Sequence, residues 1–271
     1  PLIVDNAHGA YLHFLEKGMH PMDLGAAMCC DSAHKTLPAL TGAAYLHIHK
    51  DYMKQFAPYA EQALSLFISS SPSYLLLQSL DLCNAYLAGE YRGKLGEVVG
   101  MLGRLKDKMH RIGISVRESE PLKIVLDTAE CGYFGGEIAE EMREYGIECE
   151  YADQQNVVLM AAAENSAKDW ERLLLWAEHT RLVHSKKEPL MPPSTKGGAA
   201  EQVLSVREAV FAQSELVPAR ESVNRICAAG VVSCPPAIPI AVSGERITEG
   251  MAELFLEFGI EKVCVIRQEG L

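Results

Sequence analysis

Two short runs hold the residues best suited to chemistry. One is Asp5-Asn6-Ala7-His8-Gly9 and the other is Ser32-Ala33-His34-Lys35. Each follows a predicted strand, Leu2–Asp5 and Met28–Asp31 respectively. In an α/β sheet, ligands bind beyond the carboxyl ends of the strands, so both runs are expected to face one site. A lysine there can condense with an aldehyde if its amine loses a proton. A carboxylate can pair with a protonated ring nitrogen and let the ring accept electrons. Small hydroxyls and N–H groups can hold a phosphate. These are the three needs of pyridoxal phosphate, and Lys35, Asp5 and Ser32 supply one candidate for each. His8 and His34 are candidates for contacts to the ring, its 3′-oxygen or the phosphate.

Spacing alone does not go that far. An Asp after a strand is commonly a cap or turn residue, and a Lys there is commonly a solvated charge. His8, His13, His34 and Asp31 are metal-type residues, but no HxxxH or HExxH spacing supports a metal site. His47-Ile48-His49 places two histidines on one face of a strand and reads as structural or surface. Gly132-Tyr133-Phe134-Gly135-Gly136 is a poor phosphate loop and reads as a helix-entry turn. From spacing, the reading stops at an α/β enzyme with room for a cofactor.

The elements that must position these runs follow from periodicity. Ala43–Ile48 is a third strand, and helices are expected over Tyr74–Gly89 and Lys94–His110. The first helix shows Leu76, Leu77, Leu80, Cys83 and Leu87 at helical spacing. A break falls at Arg117-Glu118-Ser119-Glu120-Pro121. Then come a strand at Lys123–Asp127, a helix at Gly136–Tyr145, strands at Glu148–Ala152 and Asn156–Ala161, and a helix at Ala167–Val183. That β-α-β-β-α order suits a small two-layer domain. Lys186–Gly198, rich in Pro, Gly and Lys, reads as a linker or exposed loop. Beyond it lie a helix at Val203–Phe211, a Pro-rich loop from Ser233 to Pro239, a helix at Thr248–Phe258 and a strand at Lys262–Ile266.

Composition narrows the partners. Of 271 residues, 48% are apolar and 23% charged, as in a globular protein with a sizeable core. The net charge of −11 disfavours nucleic acid, which needs a basic face. No run of about 18 apolar residues occurs, so no membrane span is expected. Eight cysteines without CxxC or zinc spacing read as reduced, mostly buried thiols of a cytoplasmic protein. Cys29 and Cys30, adjacent in a strand, should point to opposite faces.

At Val4-Asp5-Asn6-Ala7-His8-Gly9-Ala10 and at Asp31-Ser32-Ala33-His34-Lys35-Thr36-Leu37-Pro38-Ala39-Leu40-Thr41 the chain resembles the Orn/Lys/Arg decarboxylase family of fold-type-I pyridoxal-phosphate enzymes. Ser69-Ser70-Ser71-Pro72-Ser73-Tyr74 is similar to that family's Ser-Pro-Ser-Tyr segment. Cys234-Pro235-Pro236-Ala237-Ile238-Pro239 and Ser243-Gly244-Glu245 are similar to its Pro-Pro-Gly-Ile-Pro and Pro-Gly-Glu. The resemblance spans almost the whole chain. It departs at Asn6, where many members have Glu, and at Ala237 and Ser243, where Gly and Pro are usual. An Ala in place of a positive-φ glycine at 237 would cost on the order of 1 kcal/mol.

The resemblance implies an α/β fold. Residues 1–118 would form the later portion of the cofactor-binding large domain, 119–185 a small domain, and 186–271 a linker with a C-terminal α/β domain. It also implies a pyridoxal 5′-phosphate-dependent decarboxylase of arginine, lysine or ornithine. Lys35 would be the Schiff-base lysine, Asp5 the partner of the ring nitrogen, and His8 a neighbour of the 3′-oxygen. Ser32 and His34 would hold the phosphate. Ser69 and Ser70 would reach the cofactor of a neighbouring subunit, giving a homodimer or higher oligomer with shared sites. The family's phosphate loop and ring-stacking His lie upstream of the first motif, so the chain is expected to be the C-terminal part of a longer enzyme. Aminotransferases and carbon–sulfur lyases use the same Asp and Lys and are the alternative reaction class. An inactive fragment or regulatory partner is the non-enzymatic one.

Overall fold

The computed structural model describes residues 1–183, 187–190, 200–233 and 238–267. Most of Lys186–Gly198, and Cys234-Pro235-Pro236-Ala237, lie outside the described residues. In chain order the elements are β1 (Ile3–Asp5), β2 (Met28–Asp31), α1 (Ala33–Thr36), β3 (Tyr45–Ile48), α2 (Met53–Ser65), α3 (Tyr74–Ala88) and α4 (Tyr91–Arg111). Then follow β4 (Val116–Arg117), β5 (Lys123–Asp127), α5 (Gly135–Glu144), β6 (Tyr151–Ala152), β7 (Asn156–Met160) and α6 (Ala167–His179). The last are α7 (Val206–Phe211), β8 (Ser214–Pro218), β9 (Val231–Ser233), β10 (Ile238–Ala241), α8 (Glu249–Glu257) and β11 (Lys262–Ile266). The α/β class expected from sequence is what the chain adopts. No helix among the described residues is long and apolar enough to cross a membrane.

The chain divides into two compact units. One comprises residues 1–126, 142–148 and 158–183, and the other 127–141, 149–157 and 184–271.

In the first unit a three-stranded sheet has the order β1-β2-β3. β1 runs parallel to β2, with Asp5 opposite Cys30, and β2 runs antiparallel to β3. β2 is thus the central strand, and Cys29 is buried while Cys30 is exposed, as alternation requires. Helix α4 is long because it presents one apolar stripe: Leu95, Val98, Leu102, Leu105 and Met109 are all buried, at spacings of three and four. Lys108, His110 and Arg111 in its last turn suit the negative end of the helix dipole. Gly113, at φ 91°, turns the chain out. The helix starts earlier than periodicity suggests, at Tyr91, whose buried ring meets Phe14 edge-on at 5.2 Å. Arg92 donates to the carbonyls of His13 and Phe14 and so ties the 3₁₀ turn Ala10–Phe14 to α4.

Several boundaries differ from those expected of the sequence. Helix α6 stops at His179 rather than Val183: the backbone of Thr180 turns extended, and His179 Nδ1 already caps the Leu175 carbonyl at 2.8 Å. Strand β6 covers only Tyr151–Ala152 of the expected Glu148–Ala152, and α7 begins at Val206, where Ser205 and Glu208 form a capping box. Helix α2 is not among the elements expected from the sequence, although Met53, Phe56, Ala57, Ala60 and Leu64 fall at helical spacing; it contains Pro58 and buries none of its residues. In α3, Cys83 is buried but Leu77 is exposed, so Leu77 lies off the packed stripe. A four-stranded sheet has the order β4-β5-β7-β6.

In the second unit β8 pairs antiparallel with β11, and β9 with β10. Phe255, Met251 and Ala252 of α8 pack with Ile247, Val263 and Val265 into one apolar cluster. The Ser243-Gly244-Glu245 run forms a turn. Gly244 sits at φ 91°, and a Cβ there would overlap the Leu204 carbonyl.

Candidate active site

β1 and β2 are parallel neighbours, so their carboxyl ends deliver Asp5 and the Asp31–Lys35 run to the same edge of the sheet. Beyond β1 the chain turns tightly. Asn6 N–H donates to the Cys30 carbonyl at 2.9 Å, and Gly9 N–H donates to the Asn6 carbonyl at 2.8 Å. A Cβ on residue 9 would overlap the end of the Asn6 side chain, which would have to leave its bond to Asp31. Beyond β2, Ser32 occupies the N-cap position of α1 and its carbonyl accepts from Lys35 N–H at 3.1 Å. This single helical turn carries the lysine.

The two runs meet. Lys35 Nζ lies 3.2 Å from His8 Nε2, across 27 positions of sequence. Asp5 and His8 line one open cleft with Asn6, Leu12 and the ion-paired Glu120 and Lys123. Asp5 is exposed and, by register, shares a face with Cys30. Burial and then the Asp5 charge push the Cys30 thiol up. The exposed amine and the half-buried imidazole are thus placed to exchange a proton, with the exposed Asp5 carboxylate lining the same cleft as His8.

The remaining residues are placed less directly. The Ser32 side chain makes no cap hydrogen bond and is half-buried. His34 turns back to the β2–β3 connection, where its Nδ1 donates to the Ala43 carbonyl at 3.0 Å. Ser69 is occupied within its own turn: its hydroxyl donates to the Ser71 carbonyl at 3.3 Å and accepts from Ser71 N–H at 3.1 Å. Ser70 is exposed beside it. No hydrogen bond among the described residues links this turn to Lys35.

Sequence reasoning missed a second constellation on the other face of β2. Asp31 is buried and its carboxylate accepts from four donors. Asn6 Nδ2 (2.7 Å) and Cys29 Sγ (3.4 Å) meet Oδ1, while His20 Nε2 and His47 Nε2 (each 2.9 Å) meet Oδ2. Burial alone would raise its pKa, but the hydrogen bonds from His20, His47 and Asn6 outweigh burial and hold it far below the usual carboxylate range. His47, which the sequence alone suggests is structural or surface, is half-exposed and anchors this carboxylate. The only local signal is that Asp31, like Asp5, ends a strand.

The chain is similar to known proteins in sequence and in fold. Residues 1–131 match the model of the Orn/Lys/Arg decarboxylase major domain, and residues 190–261 match that of the Orn/Lys/Arg decarboxylase C-terminal domain. The arginine decarboxylase of Bacillus subtilis (strain 168) is 29% identical over 270 residues, covering 92% of this chain and 54% of that protein. The arginine decarboxylase of Halalkalibacterium halodurans is 28% identical over 267 residues, with the same coverage of 92% and 54%. The chain therefore spans about half the length of the curated relatives it matches. Among solved structures, a lysine decarboxylase from Francisella novicida superposes with a TM-score of 0.75 at 17% identity, covering 98% of this chain and 53% of that one. The constitutive lysine decarboxylase of E. coli gives a TM-score of 0.74 at 15% identity, over 98% and 54%. With both runs meeting at one sheet edge and both domain models matched in order, the chain belongs to the Orn/Lys/Arg decarboxylase family.

Proposed function

We propose that this chain carries the lysine-bearing part of a pyridoxal 5′-phosphate-dependent decarboxylase that converts arginine, lysine or ornithine to the corresponding amine and CO₂. The observation that carries the reading is the 3.2 Å approach of Lys35 Nζ to His8 Nε2 at the carboxyl ends of two parallel strands, in a chain of this family. The donor set fits the cofactor: an accessible primary amine for its aldehyde, a carboxylate for its ring nitrogen, and an imidazole beside the amine. When bound, pyridoxal phosphate supplies an aldehyde that captures amines covalently and a ring that accepts the electrons of the bond that breaks.

The chain's own residues do the rest. Lys35 must shed a proton to become nucleophilic, and His8 Nε2 is placed to take it and return it. Asp5, exposed at the end of β1, would pair with the ring nitrogen and keep it protonated. Ser32 and His34 flank the lysine and would hold the phosphate, Ser32 through its hydroxyl and His34 through the Nε2 that its bond to Ala43 leaves over. Ser69 and Ser70 serve a second copy of the chain in a homodimer. In support, α2 buries none of its residues, and Leu66, Phe67 and Ile68 beside the serine turn are exposed. Such an apolar surface suits association.

Borohydride reduction of the chain mixed with pyridoxal phosphate should fix the cofactor on the peptide bearing Lys35, and Lys35→Ala should abolish that adduct. An undiminished adduct in the variant would sink the assignment. On a panel of arginine, lysine and ornithine, CO₂ release without keto-acid formation separates decarboxylation from transamination.

A further inference from the structure

We propose that Asp31 is a positioning residue: from its buried place on the other face of the sheet it locks Asn6, and through Asn6 it holds the turn that brings His8 to Lys35. The inference rests on the roles proposed above for Lys35 and His8.

Asp31 touches every part of the frame. It ends β2 immediately before the turn that carries Lys35, and it receives Asn6 from the end of β1, His20 from the β1–β2 connection and His47 from β3. Asn6, in turn, lies between Asp5 and His8 and closes the turn from both its backbone and its side chain. Its N–H is bonded to Cys30, its carbonyl to Gly9, and its amide packs where any Cβ on residue 9 would sit. The hub also has one polarity. Met22 N–H donates to His20 Nδ1 at 3.2 Å, so the proton of His20 must sit on Nε2 and point at Asp31. Both carboxylate oxygens then accept two donors each, which leaves the ionised carboxylate no freedom to rotate.

The same tautomer argues against a metal. His20 Nε2, Cys29 Sγ and an Asp31 oxygen lie within 4.8 Å of one another, close enough to share an ion. A metal on Nε2 would need the proton on Nδ1, directly against Met22 N–H. A carboxylate clamp explains all the contacts and a metal does not.

The test uses exchange variants of the full 271-residue chain. Asn6→Asp keeps the volume but sets a carboxylate against Asp31. Asn6→Asp combined with Asp31→Asn restores a donor–acceptor pair: the new amide donates to residue 6 while its oxygen still accepts from both histidines. The readout is competitive acetylation of Lys35 by limiting acetic anhydride across pH, scored by peptide mass spectrometry against the exposed Lys17 and Lys54. N6D should change the relative Lys35 rate by about tenfold, and the exchange should bring it back to within about twofold. If N6D does not fold, Asn6→Ala, which removes the amide together with its bond to Asp31 without adding a charge, is scored instead. A folded N6D or N6A chain that labels Lys35 as the parent does would overturn the inference. So would an exchange variant that regains thermal stability without regaining the Lys35 rate. Acetylation needs no cofactor, so its result is independent of the cofactor reading, which fails on its own if borohydride traps no pyridoxal phosphate on the parent chain.

Discussion

Two aspartates end neighbouring parallel strands, and their surroundings are opposite. Asp5 stands exposed at an open cleft, next to His8 and on the face of Cys30. Asp31, bonded to Asn6 on the other face, is buried under four donors. A carboxylate whose lone pairs are all engaged by the fold has nothing left to offer a ligand, whereas an accessible one at a strand end has much to offer and little part in stability. Division of labour between the faces of one sheet is what the pair teaches: one face keeps accessible reactive groups, and a buried, fully bonded carboxylate on the other fixes where they stand.

The strongest way to break that comparison is to delete each carboxylate in turn. Asp31→Ala strands the buried His20 and Cys29 and the part-buried Asn6 and His47, and should lower the unfolding free energy by about 3 kcal/mol. Asp5→Ala should shift it by only about 0.5 kcal/mol. Urea denaturation measures both. Equal losses would mean that the two faces are not distinct.

Acid provides a second contrast. The folded pKa of Asp31 is depressed, so in the unfolded chain it takes up its proton at higher pH. The stability it contributes is therefore full above the ordinary aspartate value of about 3.9 and is lost as pH falls below it. The Asp31→Asn variant should be less stable at neutral pH by about 1–3 kcal/mol, with the gap to the parent closing below about pH 4. A gap that stayed constant down to about pH 2 would show that charge at position 31 is irrelevant.

The Asn6 turn is the link between the faces, and glycine tests it. Gly9→Ala must displace the Asn6 side chain and should cost about 1–3 kcal/mol. Gly96→Ala, in the middle of α4 with no atom near the added methyl, should instead stabilise by about 0.5–1 kcal/mol. Thermal melts of the two variants should therefore move in opposite directions.

Legibility in the sequence follows the same division. Lys35, His8 and Asp5 sit in two runs whose order and strand-end position point to one site, and the fold brings Lys35 and His8 to 3.2 Å. The α4 helix is legible because its buried residues repeat at helical spacing. The Asp31 hub is not, because His20 and His47 stand 11 and 16 positions from Asp31 and belong to different elements. No period connects them; only the fold does. Helix α2 is open to the same reading as α4, because Met53, Phe56, Ala57, Ala60 and Leu64 fall at helical spacing; Pro58 in its middle is what argues against a helix there.

The smallest effect bears on the open face alone. The Cys29 thiol is pushed up to about 12 by burial and then by the Asp31 charge, while Cys30 is raised by burial and then by Asp5. Only the thiolate is alkylated, so iodoacetamide at neutral pH should label exposed Cys30 slowly and leave Cys29 untouched until the chain unfolds. Asp5→Asn removes one of the charges that disfavour the Cys30 thiolate. It should therefore speed Cys30 alkylation on the order of twofold at a given pH while leaving Cys29 protected. If Asp5→Asn leaves the Cys30 rate unchanged, the two side chains do not share a face, and the open half of the comparison would have to be redrawn around Lys35 and His8 without Asp5.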